Sequence, residues 1–212
     1  QIQSHFRSIE IWERGGDGRA NGREGWLVKQ LAGLDVDRFD APGIFLGGTG
    51  NIFAGGQHYL GPHSIGKMLS SKYQSDLANG SAPAAKNPLL ASIQRSQINH
   101  NRRASSILSK LQADKTMFRI RGKQLGRQLR TVCNLISANV KIPVFKVTLG
   151  SFDTHVNQRN QHRRLLRELD EALTDTVAAI KRIGVWEKVA IITYSEFGRR
   201  VAENGSRGTE HG

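Results

Sequence analysis

What the sequence has little of sets the first bounds. A single cysteine, Cys133, among 212 residues excludes an internal disulfide. Its helical surroundings make it a small core residue rather than a nucleophile. No apolar run reaches the roughly 20 residues that a bilayer-spanning helix needs, so no membrane span is expected. Aromatic residues make up only 7% and are not interleaved with the basic runs, which leaves no base-stacking platform; nucleic acid is not the expected partner. Acids are the scarcer charge, 18 against 31 Lys and Arg, for a net charge of +13. Such an excess attracts phosphate, sulfate and other polyanions. It is spread over Arg102-Arg103, Arg119 to Arg130, Arg159 to Arg167 and Arg199-Arg200, a distribution that reads as solvated helices. No initiating methionine and no signal peptide are visible between Gln1 and Gly212, so we expect a fragment, truncated at both ends.

What is present fits one soluble α/β domain over residues 1–212: 38% hydrophobic, 23% charged, with 23 glycines. A short helix is expected around Phe6 to Glu13 and a second from Trp26 to about Leu34, separated by a Gly-rich turn. Ile44-Phe45-Leu46 is a short strand candidate. Residues 70–87, rich in Ser, Ala, Asn and Pro, read as an exposed loop. Helical apolar spacing runs from Pro88 to Leu111 and from Lys123 to Ala138, with Leu125, Leu129, Val132, Leu135 and Ile136 on one stripe. No internal repeat is visible.

The last third is the most regular. Pro143 to Leu149 is rich in branched and aromatic residues and reads as a strand. Asn157 is placed to cap a helix whose apolar face is Leu165, Leu166, Leu169, Leu173, Val177 and Ile180, ended by Gly184. Lys188 to Tyr194 is a nearly continuous apolar run, the pattern of a parallel strand buried on both faces. Strand, helix, strand is a right-handed βαβ unit and sets the class as α/β.

Ligands of open α/β sheets bind beyond the carboxyl ends of the strands. The first of these strands runs into Gly150-Ser-Phe-Asp153-Thr-His155, the second into Ser195-Glu196-Phe-Gly198, and a third segment, Gly205 to Gly212, carries Glu210 and His211. Carboxylate and imidazole together suit a borderline or hard divalent cation such as zinc, manganese or magnesium.

In these segments the chain resembles a known family. The run Val144 to Gln158, the helix Leu165 to Leu173, the Gly184-Val-Trp-Glu187 turn and Ser195 to Gly205 look like the bacterial domain of unknown function 1501. Ser4 to Trp12 and Gly25-Trp-Leu27 resemble its upstream part. That family is similar to the alkaline phosphatase and sulfatase superfamily, and the resemblance implies a three-layer sandwich with a mostly parallel sheet. It implies metal-ligand roles for Asp153, His155, Glu196 and His211, with zinc, manganese, magnesium or calcium as the cation. It also implies hydrolysis of a small-molecule or glycan phosphate or sulfate ester, in an exported or periplasmic protein. Three departures stand out. Glu210 replaces the usual Asp before the last His-Gly, Ser151 replaces the second glycine before Phe-Asp-Thr-His, and the family's first strand with its Gly-Gly-x-Asp motif is not in this sequence.

Plainer readings stand beside these. Asp153 can simply cap the next helix, Ser195 can cap a helix opened by Glu196, and His211 can be a solvated loop residue. Ser4 is a candidate nucleophile at a helix start, and equally an ordinary N-cap, with no base marked beside it; His5 is open in the same way. Gly61 to Met68 nearly spells a phosphate-binding loop, but Met68 stands where a magnesium-binding hydroxyl belongs. His58 and His63 read as loop histidines. The alternative to a hydrolase is a non-catalytic protein that keeps the fold and binds anionic ligands or a protein partner.

Overall fold

The computed structural model describes residues 4–16, 24–35, 38–56, 59–61 and 87–212. Residues 70–86 of the loop expected at 70–87, His58, His63 and the phosphate-loop-like stretch after Gly61 lie outside them.

Helix α1 spans His5–Arg14, with the Ser4 hydroxyl accepting from the Arg7 N–H, and stops at Gly15 in the left-handed region. Helix α2, Trp26–Leu31, follows. Strand β1, Ile44–Phe45, pairs in parallel with β2, Phe145–Lys146. Leu60 bridges β1 on its other side, so three extended segments lie side by side. Three long helices complete the layer, α3, Pro88–Ala113, and α4, Lys123–Ser137, packing on the strands and α5, Gln158–Ile183, on α4. Asn87, at the edge of the expected loop, accepts from the Leu89 and Leu90 N–H groups and starts α3, with Pro88 at the first helical position. An antiparallel hairpin, β3 (Arg199–Glu203) and β4 (Thr209–His211), ends the described fold. Its register slips between the Arg199 and Glu203 pairings. The architecture is mixed α/β with two small sheets.

Two apolar clusters share α4. On one side Leu135 meets Ala104, Ile107 and Leu108 of α3 together with Ile44 and Leu60. On the other, Leu125, Leu129 and Cys133 meet Ala172, Ala179 and Ile180 of α5. Burial raises the Cys133 thiol to about 11, in keeping with a core residue. The expected α4 stripe is buried at Leu125, Leu129, Val132 and Leu135. On α5 the expected face packs inward at Leu169, Leu173 and Ile180, Leu166 is 54% exposed, and Ala172, Thr176 and Ala179 are buried beside that face. The small residues there let α5 approach α4 closely, and Thr176 is accommodated by donating to the Ala172 carbonyl.

Three local expectations are corrected. Lys188–Tyr194 is not a strand: a 3₁₀ turn covers Trp186–Lys188, and residues 189–195 have no regular structure and no ladder partner among the described residues. Ile192 is 82% exposed, so the run is not buried on both faces. Branched apolar residues favour extended backbone, but a strand exists only where a neighbour supplies the ladder. Nor does Ser195 cap a helix; its hydroxyl donates to the Phe197 carbonyl at 2.7 Å in a turn leading to β3. Asn157 occupies the position before α5 in a left-handed conformation without a side-chain cap bond.

Candidate metal centre

Asp153 sits in the irregular segment after β2, where Ser151 holds a positive φ of 71° that turns the chain toward the hairpin. Its carboxylate is the hub of a cluster. Oδ1 lies 2.7 Å from His211 Nε2 and 2.8 Å from His155 Nε2, and it accepts from the Arg199 guanidinium at 3.2 Å. Oδ2 lies 3.2 Å from His5 Nε2. The other nitrogen of His5 faces Glu196 Oε1 at 3.5 Å, and the other nitrogen of His155 faces Glu210 Oε2 at 3.2 Å. Glu210 in turn accepts from the Asn204 side-chain amide at 2.7 Å.

The four residues expected to act together, Asp153, His155, Glu196 and His211, thus converge. His5 completes the set as the link between Asp153 and Glu196. Ligand atoms of His5, Asp153 and His211 all fall within 4.8 Å of one another. The rings also pack edge to face or tilted, His5 on His211 at 4.7 Å and Phe197 on both at 4.7–4.9 Å, which restricts their orientation. The hydrogen bond from His211, reinforced by the nearby imidazoles of His155 and His5, holds the Asp153 carboxyl down to about 2. The amide of Asn204, with His155 beside it, keeps Glu210 low as well.

Position follows from backbone packing. The Arg199 guanidinium also donates to the Phe152 and Thr209 carbonyls, tying the segment before Asp153 to the hairpin. Asn204 orders the hairpin turn, accepting from the Ser206 and Gly208 N–H groups. Gly208 lies against the backbone of His155, where a Cβ would collide, so the hairpin reaches the histidine only through a glycine. Ser4 lies one residue before His5, but its hydroxyl caps α1, and no base contacts it among the described residues. Arg199 and Asn204 carry no local sequence signal beyond nearness to the ligands.

The whole chain, residues 1–212, matches the family model described as "Protein of unknown function (DUF1501)". The chain belongs to this family. No curated protein matches it. No solved structure matches it either. In this DUF1501 member Glu210 reaches His155, and Ser151, two residues before Asp153, takes a conformation that glycine adopts freely.

Proposed function

We propose that this DUF1501 member binds a divalent cation at the Asp153 cluster and hydrolyses phosphate or sulfate esters. The observation that carries the reading is the convergence of His5, Asp153 and His211 ligand atoms, with His155 and Glu196 adjoining. Three imidazoles and an ionised carboxylate form a donor set that fits zinc, manganese or a similar ion. His5, Asp153 and His211 would hold it, with Glu196 and His155 within reach of the same centre. Such an ion supplies Lewis acidity and lowers the pKa of bound water. The chain's own groups contribute orientation: Arg199 steadies Asp153, and Asn204 and Glu210 steady His155, an outer layer of the kind that fixes ligand rings. The chain's net charge of +13 suits an anionic ester. On this reading the small parallel β1–β2 pair belongs to an alkaline-phosphatase-like, three-layer sandwich of an exported protein. No described helix is long and apolar enough to cross a membrane.

Elemental analysis after dialysis against zinc or manganese tests the reading, together with hydrolysis of p-nitrophenyl phosphate and p-nitrophenyl sulfate. We expect one bound ion per chain, lost on Asp153→Ala and weakened about 10- to 100-fold on Asn204→Ala, which removes an orienting contact only. A chain that folds but retains no divalent ion, and cleaves neither ester, overturns the proposal.

A further inference from the structure

A cleft of about 550 Å³ opens between the N-terminal half of α5 and the β3–β4 hairpin. Arg159, His162, Arg163 and Leu166 line it from the helix, Glu203 and Arg207 from the hairpin. Its two walls are fixed to each other. The Asn157 N–H donates to the Ser206 carbonyl at 3.0 Å, the Gln158 N–H to the Arg207 carbonyl at 2.9 Å, and the Gln158 amide to the Thr209 hydroxyl at 3.0 Å. The volume lies in the range of small-ligand pockets.

Three guanidinium groups face this cleft, and none has an ion-pair or hydrogen-bond partner among the described residues. Arg159 and Arg163 stand four positions apart on the helix, where like charges repel. Arg207 keeps a left-handed φ of 58°, a conformation that glycine or asparagine adopts more cheaply, and so brings a third cation opposite them. Glu203 is the one lining carboxylate and leaves the charge of the cleft positive. Planar guanidinium forks match tetrahedral oxyanions in two-point contacts. Leu166, 54% exposed, offers an apolar surface beside them.

We propose that this cleft is a binding site for a small ligand bearing phosphate or sulfate groups, held by Arg159, Arg163 and Arg207. It is distinct from the metal reading, because none of its arginines contacts Asp153. Its wall residue His162 does touch the metal loop from behind, through the Thr154 hydroxyl at 2.9 Å. Calorimetric titration with pyrophosphate, and separately with sulfate, is carried out on the whole chain in EDTA-treated buffer so that the Asp153 cluster plays no part. Saturable one-to-one binding is expected. Arg163→Gln and Arg207→Gln should each weaken it about tenfold, while Arg167→Gln, an equal loss of charge on the exposed helix surface outside the cleft, should leave it within about twofold. Circular dichroism of the variants should be unchanged, since all three side chains are exposed. A preference for pyrophosphate assigns phosphorylated ligands, and the reverse assigns sulfated ones. Absence of saturation with either anion overturns the proposal. So do equal losses in all three variants, or tighter binding of a short DNA duplex that Arg167→Gln weakens as much as Arg163→Gln.

Discussion

At the scale of single residues, Ser151 carries the clearest local conflict between side chain and backbone. Its φ of 71° places a Cβ in the left-handed region, against the following carbonyl. Its side chain is exposed. An L-residue there costs about 1–2 kcal/mol, and glycine loses about 0.5–1 kcal/mol through greater freedom in the unfolded chain, so the balance favours glycine. Ser151→Gly should therefore stabilise the fold by about 0.5–1 kcal/mol. Urea denaturation should show a higher midpoint with an unchanged slope. A lower midpoint would mean that the serine contributes something the geometry does not reveal. The strain sits two residues before Asp153, so the same variant also tests whether the turn must be held rigid for the cluster to form.

At the scale of elements, Asp175 anchors α5 to the chain before α4. Asp175 accepts from the Arg121 backbone N–H at 2.8 Å and from its guanidinium at 2.8 and 2.9 Å. These bonds from Arg121 hold the Asp175 carboxyl down to about 2, below its ordinary 3.8. A carboxyl whose pKa is depressed on folding contributes stability above its unfolded value and loses that contribution as pH falls through its folded value. The loss from this anchor should thus fall between about pH 4 and pH 2. Thermal melts across that window should decline less steeply for Asp175→Asn than for the wild type, from a lower starting point at pH 7. The elements themselves were largely legible. Helical periodicity located α3, α4 and α5, and Gly184, with its φ of 84°, ends α5 as its residue type foretells. Two things were not legible. Beside Leu169, Leu173 and Ile180, the buried face of α5 also uses Ala172, Thr176 and Ala179, small residues whose value lies in close approach to α4 and not in hydrophobicity. The run from Lys188 to Tyr194 carries strand propensity, yet pairing is a property of a neighbour and is not written in the run itself.

At the scale of the whole molecule, the cluster is drawn from α1, the segment after β2 and the hairpin, so its formation depends on how α1 is seated. Asp153, His155 and Glu196 stood out because they follow strand-like runs, whereas His211 was marked only by the family resemblance. His5 was not, since it meets Asp153 across 148 positions with no local pattern to mark it. What seats α1 is Glu13, which is 2% exposed at the other end of the same helix. Its carboxylate pairs with the buried ammonium of Lys146 on β2. It also accepts from the Thr49 hydroxyl at 2.7 Å, the Ile52 N–H at 3.2 Å and the Tyr194 hydroxyl at 3.0 Å. Burial, together with the Glu13 charge, pushes the Tyr194 phenol well above its usual range, so it remains a donor. One side chain thereby joins α1 to β2 and to the segment that leads into Glu196. Removing one partner of a buried pair leaves the other uncompensated and costs about 3–5 kcal/mol. Glu13→Gln should be destabilised by that order and should also disturb the register of His5. Leu135→Ala, a core truncation about 2–5 kcal/mol in cost, touches neither α1 nor the cluster and serves as the comparison. Because an ion that binds only the folded state raises stability by about 2.7 kcal/mol at a hundredfold excess over Kd, added zinc should lift the melting temperature of wild type and Leu135→Ala alike. The lift should shrink in Glu13→Gln, although Glu13 touches no ligand atom. Equal lifts in both variants would show that the Glu13 network stabilises the fold without positioning the site.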